Sequence, residues 1–205
     1  MSYAELSRNL SDLFEVLTWQ GDTAVTFDAA DPSTFIGLCD GLEKQLCGAS
    51  IPTAQRLAGT TINSSTVIAE LTAVYNALPT RIKQVKEDVL WCVSQNVADS
   101  YRLAVALQSA EVYTAQDPEL NFLGYKLTVC AGMSDNTMTV SKADNYVFLA
   151  DLVSDPEDLN VIDLSKTTGD KTIRVRSDFK VGFNFLNDSA TADENEWVTY
   201  GLDCA

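Results

Sequence analysis

Between Ala4 and Trp19, the apolar residues Leu6, Leu10, Leu13, Phe14 and Leu17 recur at helical spacing, while Glu5, Arg8, Asp12 and Glu15 lie mostly opposite. Side chains three or four apart share one side of a helix, so the pattern predicts an amphipathic helix, stopped by Gln20-Gly21-Asp22. The stretch from Thr23 to Ser33 is small and polar and reads as a loop. From Ser33 or Thr34 a short helix carries Ile36, Leu38, Leu42 and Leu46 and closes at Gly48. Ser50 to Ser65, with Pro52 and Gly59, reads as a connection.

The next helix is the most regular. Val67, Ile68, Leu71, Val74, Tyr75 and Leu78 share a face behind a Ser/Thr cluster, and Pro79 ends it. A charged connection from Arg81 to Asp88 leads to Val89-Leu-Trp-Cys-Val93, a continuous apolar run of the kind found in strands covered on both faces. Ser94 can cap another helix whose Val97, Tyr101, Ala104, Val105 and Gln108 share a side. Helix, buried strand and helix together imply a sheet with helical cover.

The second half turns to strands. Tyr125 to Ala131, Thr137 to Ser141 and Tyr146 to Asp151 are strand-like, separated by turn residues such as Gly132, Ser134, Asp135 and Asn136. Lys171 to Leu186 is the longest alternating run, with Ile173, Val175, Phe179, Val181, Phe183 and Phe185 set against Arg174, Arg176, Asp178, Lys180 and Asn184. As one strand it would extend about 50 Å, against the usual ~17 to 20 Å. Trp197 to Tyr200 suits one closing strand. The expected class is α+β.

Length and composition add limits to this picture. A chain of 205 residues and 22.3 kDa can bury about 70% of its unfolded surface, so no metal or disulfide is required for folding. Hydrophobic content of 46% with 21% charged residues is globular. No apolar run approaches the ~18 residues of a membrane span, and the first residues lack the cationic and apolar stretches of a signal peptide. The sequence therefore reads as soluble and unsecreted.

Charge and missing chemistry exclude more. Fourteen basic against 29 acidic residues leave a net charge of -15, which argues against binding phosphate backbones. With no histidine in the chain, Ser-His-Asp and Cys-His nucleophile pairs and His-ligated zinc are absent. Cys39, Cys47, Cys92, Cys130 and Cys204 form no C-x-x-C pair and read as unpaired thiols of a reducing compartment. The acidic stretches Asp155 to Asp158 and Asp188 to Glu196 do not match a calcium loop and read as solvated loops. No catalytic residue, metal ligand or cofactor site is expected.

The order of elements resembles a known family. Ser64-Ser-Thr-Val-Ile-Ala-Glu-Leu-Thr-Ala-Val-Tyr75, then Asp88-Val-Leu-Trp-Cys-Val-Ser-Gln-Asn-Val-Ala-Asp-Ser-Tyr101, is similar to the helix, strand and capped helix of tailed-bacteriophage major capsid proteins. The likeness continues through Gly124 to Met133, Asn145 to Leu152, and the long alternating run followed by Trp197-Val-Thr-Tyr-Gly201. That family has the fold first described for phage Hong Kong ninety-seven. The resemblance rests on element order and texture, with no short diagnostic motif.

It implies a major capsid protein fold: residues 1–60 as the end of the spine helix and a connecting segment of the peripheral domain, 61–155 as the axial domain, and 156–205 as the long peripheral strand and closing strand. No residues of this chain match the family's N-terminal arm and extended loop. The implied function is a non-enzymatic shell subunit of a phage or prophage, made in the bacterial cytoplasm and located in the virion capsid. Its partners would be copies of itself in capsomers, with scaffold, portal or decoration proteins as further candidates, and neither specific nucleic acid nor membrane.

On this reading, the loop Ser109 to Glu119, with Glu111, Tyr113, Asp117 and Glu119, meets its copies at the capsomer centre, and the turn Met133 to Asn136 is a second choice. Arg174, Arg176 and Lys180 would form a basic strip facing an acidic patch on a neighbouring copy. The competing readings are a virion accessory or decoration module and, third, a carboxylate-dependent metal hydrolase.

Overall fold

The computed structural model describes residues 3–28, 30–47, 55–84, 86, 88–108, 120–150, 160–163, 173–176, 180–186 and 197–202. The first predicted helix forms as α1 (Tyr3–Gln20), turning Leu17 and Trp19 inward and leaving Asp12 and Glu15 exposed. The predicted short helix from Thr34 is divided. Pro32–Leu38 is a 3-10 segment whose Asp31 carboxylate accepts from the Ser33 N–H at 2.9 Å, and α2 (Leu42–Leu46) starts afresh after Gly41. The break follows from Cys39 being extended, at φ -154°, and from the Gly41 N–H donating to the Gly21 carbonyl at 2.8 Å. The predicted stop at Gly48 lies outside the described residues.

After β1 (Arg56–Leu57), Asn63 shapes the entry to α3 (Val67–Ala77). Its carboxamide oxygen accepts from the Ser65 N–H at 2.9 Å and the Ser65 hydroxyl at 2.5 Å. Leu78 is extended at ψ 134°, as the residue before a proline is forced to be, and α3 ends there. The charged connection contains a short helix the periodicity missed, α4 (Thr80–Gln84), anchored by the buried Ile82. Next come β2 (Val89–Val93), α5 (Gln95–Gln108), β3 (Asn121–Phe122), β4 (Tyr125–Val129), β5 (Met138–Lys142), β6 (Tyr146–Ala150), β7 (Asn160–Asp163), β8 (Ile173–Arg176), β9 (Val181–Phe185) and β10 (Trp197–Tyr200).

Six of these strands form one mixed sheet in the order β1-β10-β5-β2-β4-β3. β2 runs parallel to β4, across the α5 crossover, and antiparallel to β5; β10 runs antiparallel to β5 and parallel to β1. Alternation along the strands assigns two covers. Trp91 and Val93 of β2, Leu127 of β4, Val140 of β5 and Val198 of β10 face Val67, Leu71 and Val74 of α3 and Val97 of α5. Cys92 and Trp197 point the other way, into a second cluster with Trp19 of α1, Leu42 and Leu46 of α2, Met133 and Phe185. The apolar run of β2 is explained by this: both faces are covered. The sheet takes strands from all three sequence segments, since β1 precedes residue 61 and β10 follows residue 156.

Within the expected single strand over Lys171–Leu186, residues 171–172 and 177–179 lie outside the described residues. Its described residues fall into β8 and β9, which belong to separate two-stranded ladders: Tyr146 to Ala150 pair antiparallel with Phe185 to Val181, and Asn160 to Asp163 with Arg176 to Ile173. Ten residue steps separate Ala150 from Asn160 and five separate Val181 from Arg176, so the side that carries β6 and β7 has five more residues between the two ladders than the side that carries β8 and β9. The reading of all cysteines as unpaired thiols is corrected: Cys47 is disulfide-bonded, whereas Cys39, Cys92 and Cys130 are free.

Candidate assembly surface

The β6/β9 ribbon begins in the second cluster and leaves it. Near the sheet, Phe185 stands edge-on to Trp197 at 5.7 Å and to Tyr146 at 5.3 Å, and Tyr146 edge-on to Trp19 at 6.3 Å. One pair further along, Phe148 meets Phe183 at 5.5 Å on the same face, but Phe148 is 61% exposed. The opposite face carries Leu149, 55% exposed, across from Gly182, where no side chain covers it. Leu186 follows at 47%. The aromatic stripe that anchors the ribbon therefore continues past the body's edge, with apolar groups on both faces of a two-stranded element. Such ribbons are marginal in water unless something packs against them.

Gln45 of α2 sets the direction of this ribbon. Its Nε2 donates to the Phe183 carbonyl at 2.8 Å, and its Oε1 accepts from the Phe185 N–H at 2.9 Å. Residues 183 and 185 point their backbone groups away from β6, so the side-chain amide occupies the place of a neighbouring strand residue. The same Nε2 also donates to the Asp40 carbonyl at 3.1 Å.

Two carboxylates hold the turn between β4 and β5 against the helices. Glu15 of α1 accepts from the Ala131 N–H at 2.7 Å and the Gly132 N–H at 3.3 Å. A side chain at 132 would meet the Glu15 carbonyl at 2.3 Å, so only glycine permits this approach. Glu43 of α2 accepts from the Ser134 N–H at 2.8 Å and the Ser134 hydroxyl at 2.7 Å. Burial raises the pKa of Glu43 above the usual carboxylate value, opposed by those bonds and by one from Thr137. Asn136, at φ 62°, accepts from the Ile62 N–H at 2.8 Å and from Asn96 Nδ2 at 2.9 Å, joining α5 to the segment before α3.

Glu111, Tyr113, Asp117 and Glu119 lie outside the described residues, as do the acidic stretches. Met133 to Asn136 is not a free loop: Met133 is buried at 5%, and Ser134 and Asn136 are bonded to the helices as above. Arg174 and Arg176 lie on β8 opposite Ile162 and Asn160, with side chains outside the description; exposed Lys180 immediately precedes β9. Residues 177–179, between Arg176 and Lys180, lie outside the described residues. The sequence reading missed Phe148, Leu149, Leu186 and Gln45. One signal was present: Tyr146-Val-Phe-Leu-Ala150 is apolar at every position, more than a half-exposed ribbon needs.

Elsewhere, Lys44 bridges Asp22 at 2.5 Å and Asp40 at 2.7 Å on the surface, and its hydrogen bond is the main cause that lowers the Asp40 pKa to about 2. In the second cluster Cys92 interacts with Cys130, and this interaction, with burial, pushes the pKa of Cys92 up. No group of three or more candidate ligands able to hold a metal exists among the described residues. No described helix is long and apolar enough to cross a membrane.

Comparison with solved structures identifies the class to which this architecture is similar: chains of phage particles. Over 94% of its length the chain matches 63% of a chain from the satellite phage P4 procapsid, a structure that includes the size determination (Sid) protein, with a TM-score of 0.58 and 10% identity. It matches 67% of a chain from the cyanophage A-1(L) capsid asymmetric unit over 98% of its own length (TM-score 0.53, 13% identity). A chain of Mycobacterium phage Che8 is similar over 77% of this chain and 55% of its own (TM-score 0.51, 12% identity). The chain thus spans about half to two thirds of those chains. No protein-family model matches the sequence, and no curated protein is similar to it by sequence.

Proposed function

We propose that this chain is a structural subunit of a tailed-phage or prophage capsid shell with the Hong Kong ninety-seven type of fold, acting through contacts with its own copies and without catalysis. The observation that carries the reading is the fold likeness to phage capsid chains over 94% and 98% of this chain. The apolar, two-faced ribbon supports it independently. On this reading residues 61–155 form most of the axial domain, and 1–60 and 156–205 contribute peripheral parts. Each subunit buries its ribbon against a neighbour, and many modest contacts add up to a persistent shell. Scaffold, portal and decoration proteins are further partners in the virion, and the charge of -15 suits a wall that does not adhere to packaged nucleic acid.

Sedimentation and electron microscopy of the concentrated chain test this. The expected result is capsomer-like rings or a continuous lattice; isolated knobs on another shell would instead indicate a decoration module. Phe148→Asp gives the residue-level check. Covering the exposed 61% of this ring is worth about 1–2 kcal/mol per contact, so association should weaken about 5- to 30-fold, with the monomer's melting temperature changed by less than ~3 °C. Unaltered association would remove the ribbon from the interface.

A further inference from the structure

Among the described residues, Lys83 and Lys86 place two ammonium groups on one corner of the sheet with no carboxylate partner. Lys83 of α4 lies over the Tyr75 ring at 5.2 Å and donates to the Asn76 carbonyl at 3.1 Å. Lys86 lies over the Tyr125 ring at 5.1 Å and donates to the Leu123 carbonyl at 3.1 Å. The two rings meet edge-on at 6.2 Å, so both cations rest on one aromatic platform. Beside Lys86, the turn between β3 and β4 holds Leu123 at φ 50°, with 53% of the residue exposed.

A complementary surface lies in the segment joining α1 to α2. Asp28 and Asp31 are exposed, and their carboxylates are fixed by their own turns: Asp28 accepts from the Ala30 N–H at 2.9 Å, Asp31 from the Ser33 N–H at 2.9 Å and the Ser33 hydroxyl at 2.7 Å. Lys44 neutralises Asp22 and Asp40 of the same segment, but no described cation bridges to Asp28 or Asp31. Phe27 and Leu38 are 44% and 46% exposed. Gly37 brings their two stretches of chain together, since a β-carbon at 37 would stand 3.3 Å from the Phe27 nitrogen.

We propose that the Lys83/Lys86 corner of one copy docks on the Asp28/Asp31 segment of a second copy, setting Leu123 against Phe27 and Leu38. This is a self-contact apart from the ribbon, and it rests on the shell-subunit reading. Charge selects the occupant. At a net charge of -15 per chain, copies repel one another, and attraction remains where a cationic corner without carboxylates faces an acidic segment without cations. One chain cannot join its own two surfaces. Tyr75 and Tyr125 belong to the cluster under α3 and α5, whereas α1 and α2, which carry the acidic segment between them, pack on the opposite face of the sheet. Two different surfaces that meet make a head-to-tail contact, which generates a ring when the rotation closes.

Sedimentation of the full chain at about 0.05 M and about 0.5 M salt reads the contact. Lys83→Gln/Lys86→Gln and Asp28→Asn/Asp31→Asn remove the charges, and asparagine still accepts the N–H bonds of the turns. Each pair should weaken self-association about 2- to 30-fold at the lower salt and leave little salt dependence. All four changes together should cost no more than one pair, because the two partners of one contact are not additive. Charge-reversed chains, Lys83→Glu/Lys86→Glu and Asp28→Lys/Asp31→Lys, should each stay apart alone and associate when mixed. Additive losses, wild-type association in either neutral pair, or reversed chains that are folded by circular dichroism yet stay apart when mixed would overturn the proposal. So would a short DNA duplex bound by wild type and lost by Lys83→Gln/Lys86→Gln with self-association unchanged. Association that depends on Phe148 but on neither charge pair overturns this contact and leaves the shell reading standing; a wild-type chain that never associates overturns both.

Discussion

Replacing Gln45 by leucine tests how the ribbon is held to the body. The substitution keeps the side chain's bulk but removes the donor to Phe183 and the acceptor for Phe185, across sequence separations of 138 and 140 residues. Each hydrogen bond contributes about 0.5–1.5 kcal/mol net, and the introduced isobutyl group regains some apolar contact beside Leu42 and Leu46, so a loss of about 1–2 kcal/mol is expected. For a chain of this length that is a fall of roughly 2–8 °C in melting temperature. Calorimetry measures it, but a global loss alone would not locate the effect. Amide exchange does. The Phe185 N–H points away from β6 and is bonded to Gln45, so its protection should fall about 5- to 30-fold, whereas the Leu186 N–H, bonded to the Asn145 carbonyl at 2.8 Å, should change only with global stability. Equal protection at Phe185 in both proteins would refute the idea that one side-chain amide fixes the ribbon.

Three other outcomes follow from the geometry. Burial raises the folded-state pKa of Glu43 above its unfolded value, so its ionised form is a cost at neutral pH that is relieved as pH falls through the raised value towards 4.5. Melting of wild type minus Glu43→Gln should therefore become more positive between pH 7.5 and about 4.5, and a flat difference would show the carboxyl to be effectively solvated. Thr199 Oγ1 is buried with no partner among the described residues, so Thr199→Val should raise stability by about 1 kcal/mol in urea titration; destabilisation would reveal a hidden partner. Asn136→Ala removes both bonds to its carboxamide oxygen at a residue with φ 62°, and a loss of about 2–3 kcal/mol is expected in the same titration, with no loss counting against the network.

The fold's skeleton was legible wherever burial is periodic. The stripe of Leu6 to Leu17, the face of Val67 to Tyr75 and the apolar run of β2 each named their element, because a core-facing helix or a doubly covered strand must place apolar groups at fixed intervals whatever packs on it. Absent chemistry was legible too, since no arrangement of a chain without histidine creates an imidazole. The sequence could not show which strands pair with the Lys171–Leu186 run. Alternation does not name a partner, and only the pairing of β9 with β6 and of β8 with β7 reveals the five extra residues between β6 and β7. Nor could it show the two-residue strands β1 and β3, whose shape comes from the neighbours they bond. Gln45 reads as an ordinary polar helix residue until β9, 138 residues later, is laid beside it. Exposure of Phe148 is likewise a relation between a strand and the body it leaves, and relations across long separations are decided only when the chain is folded.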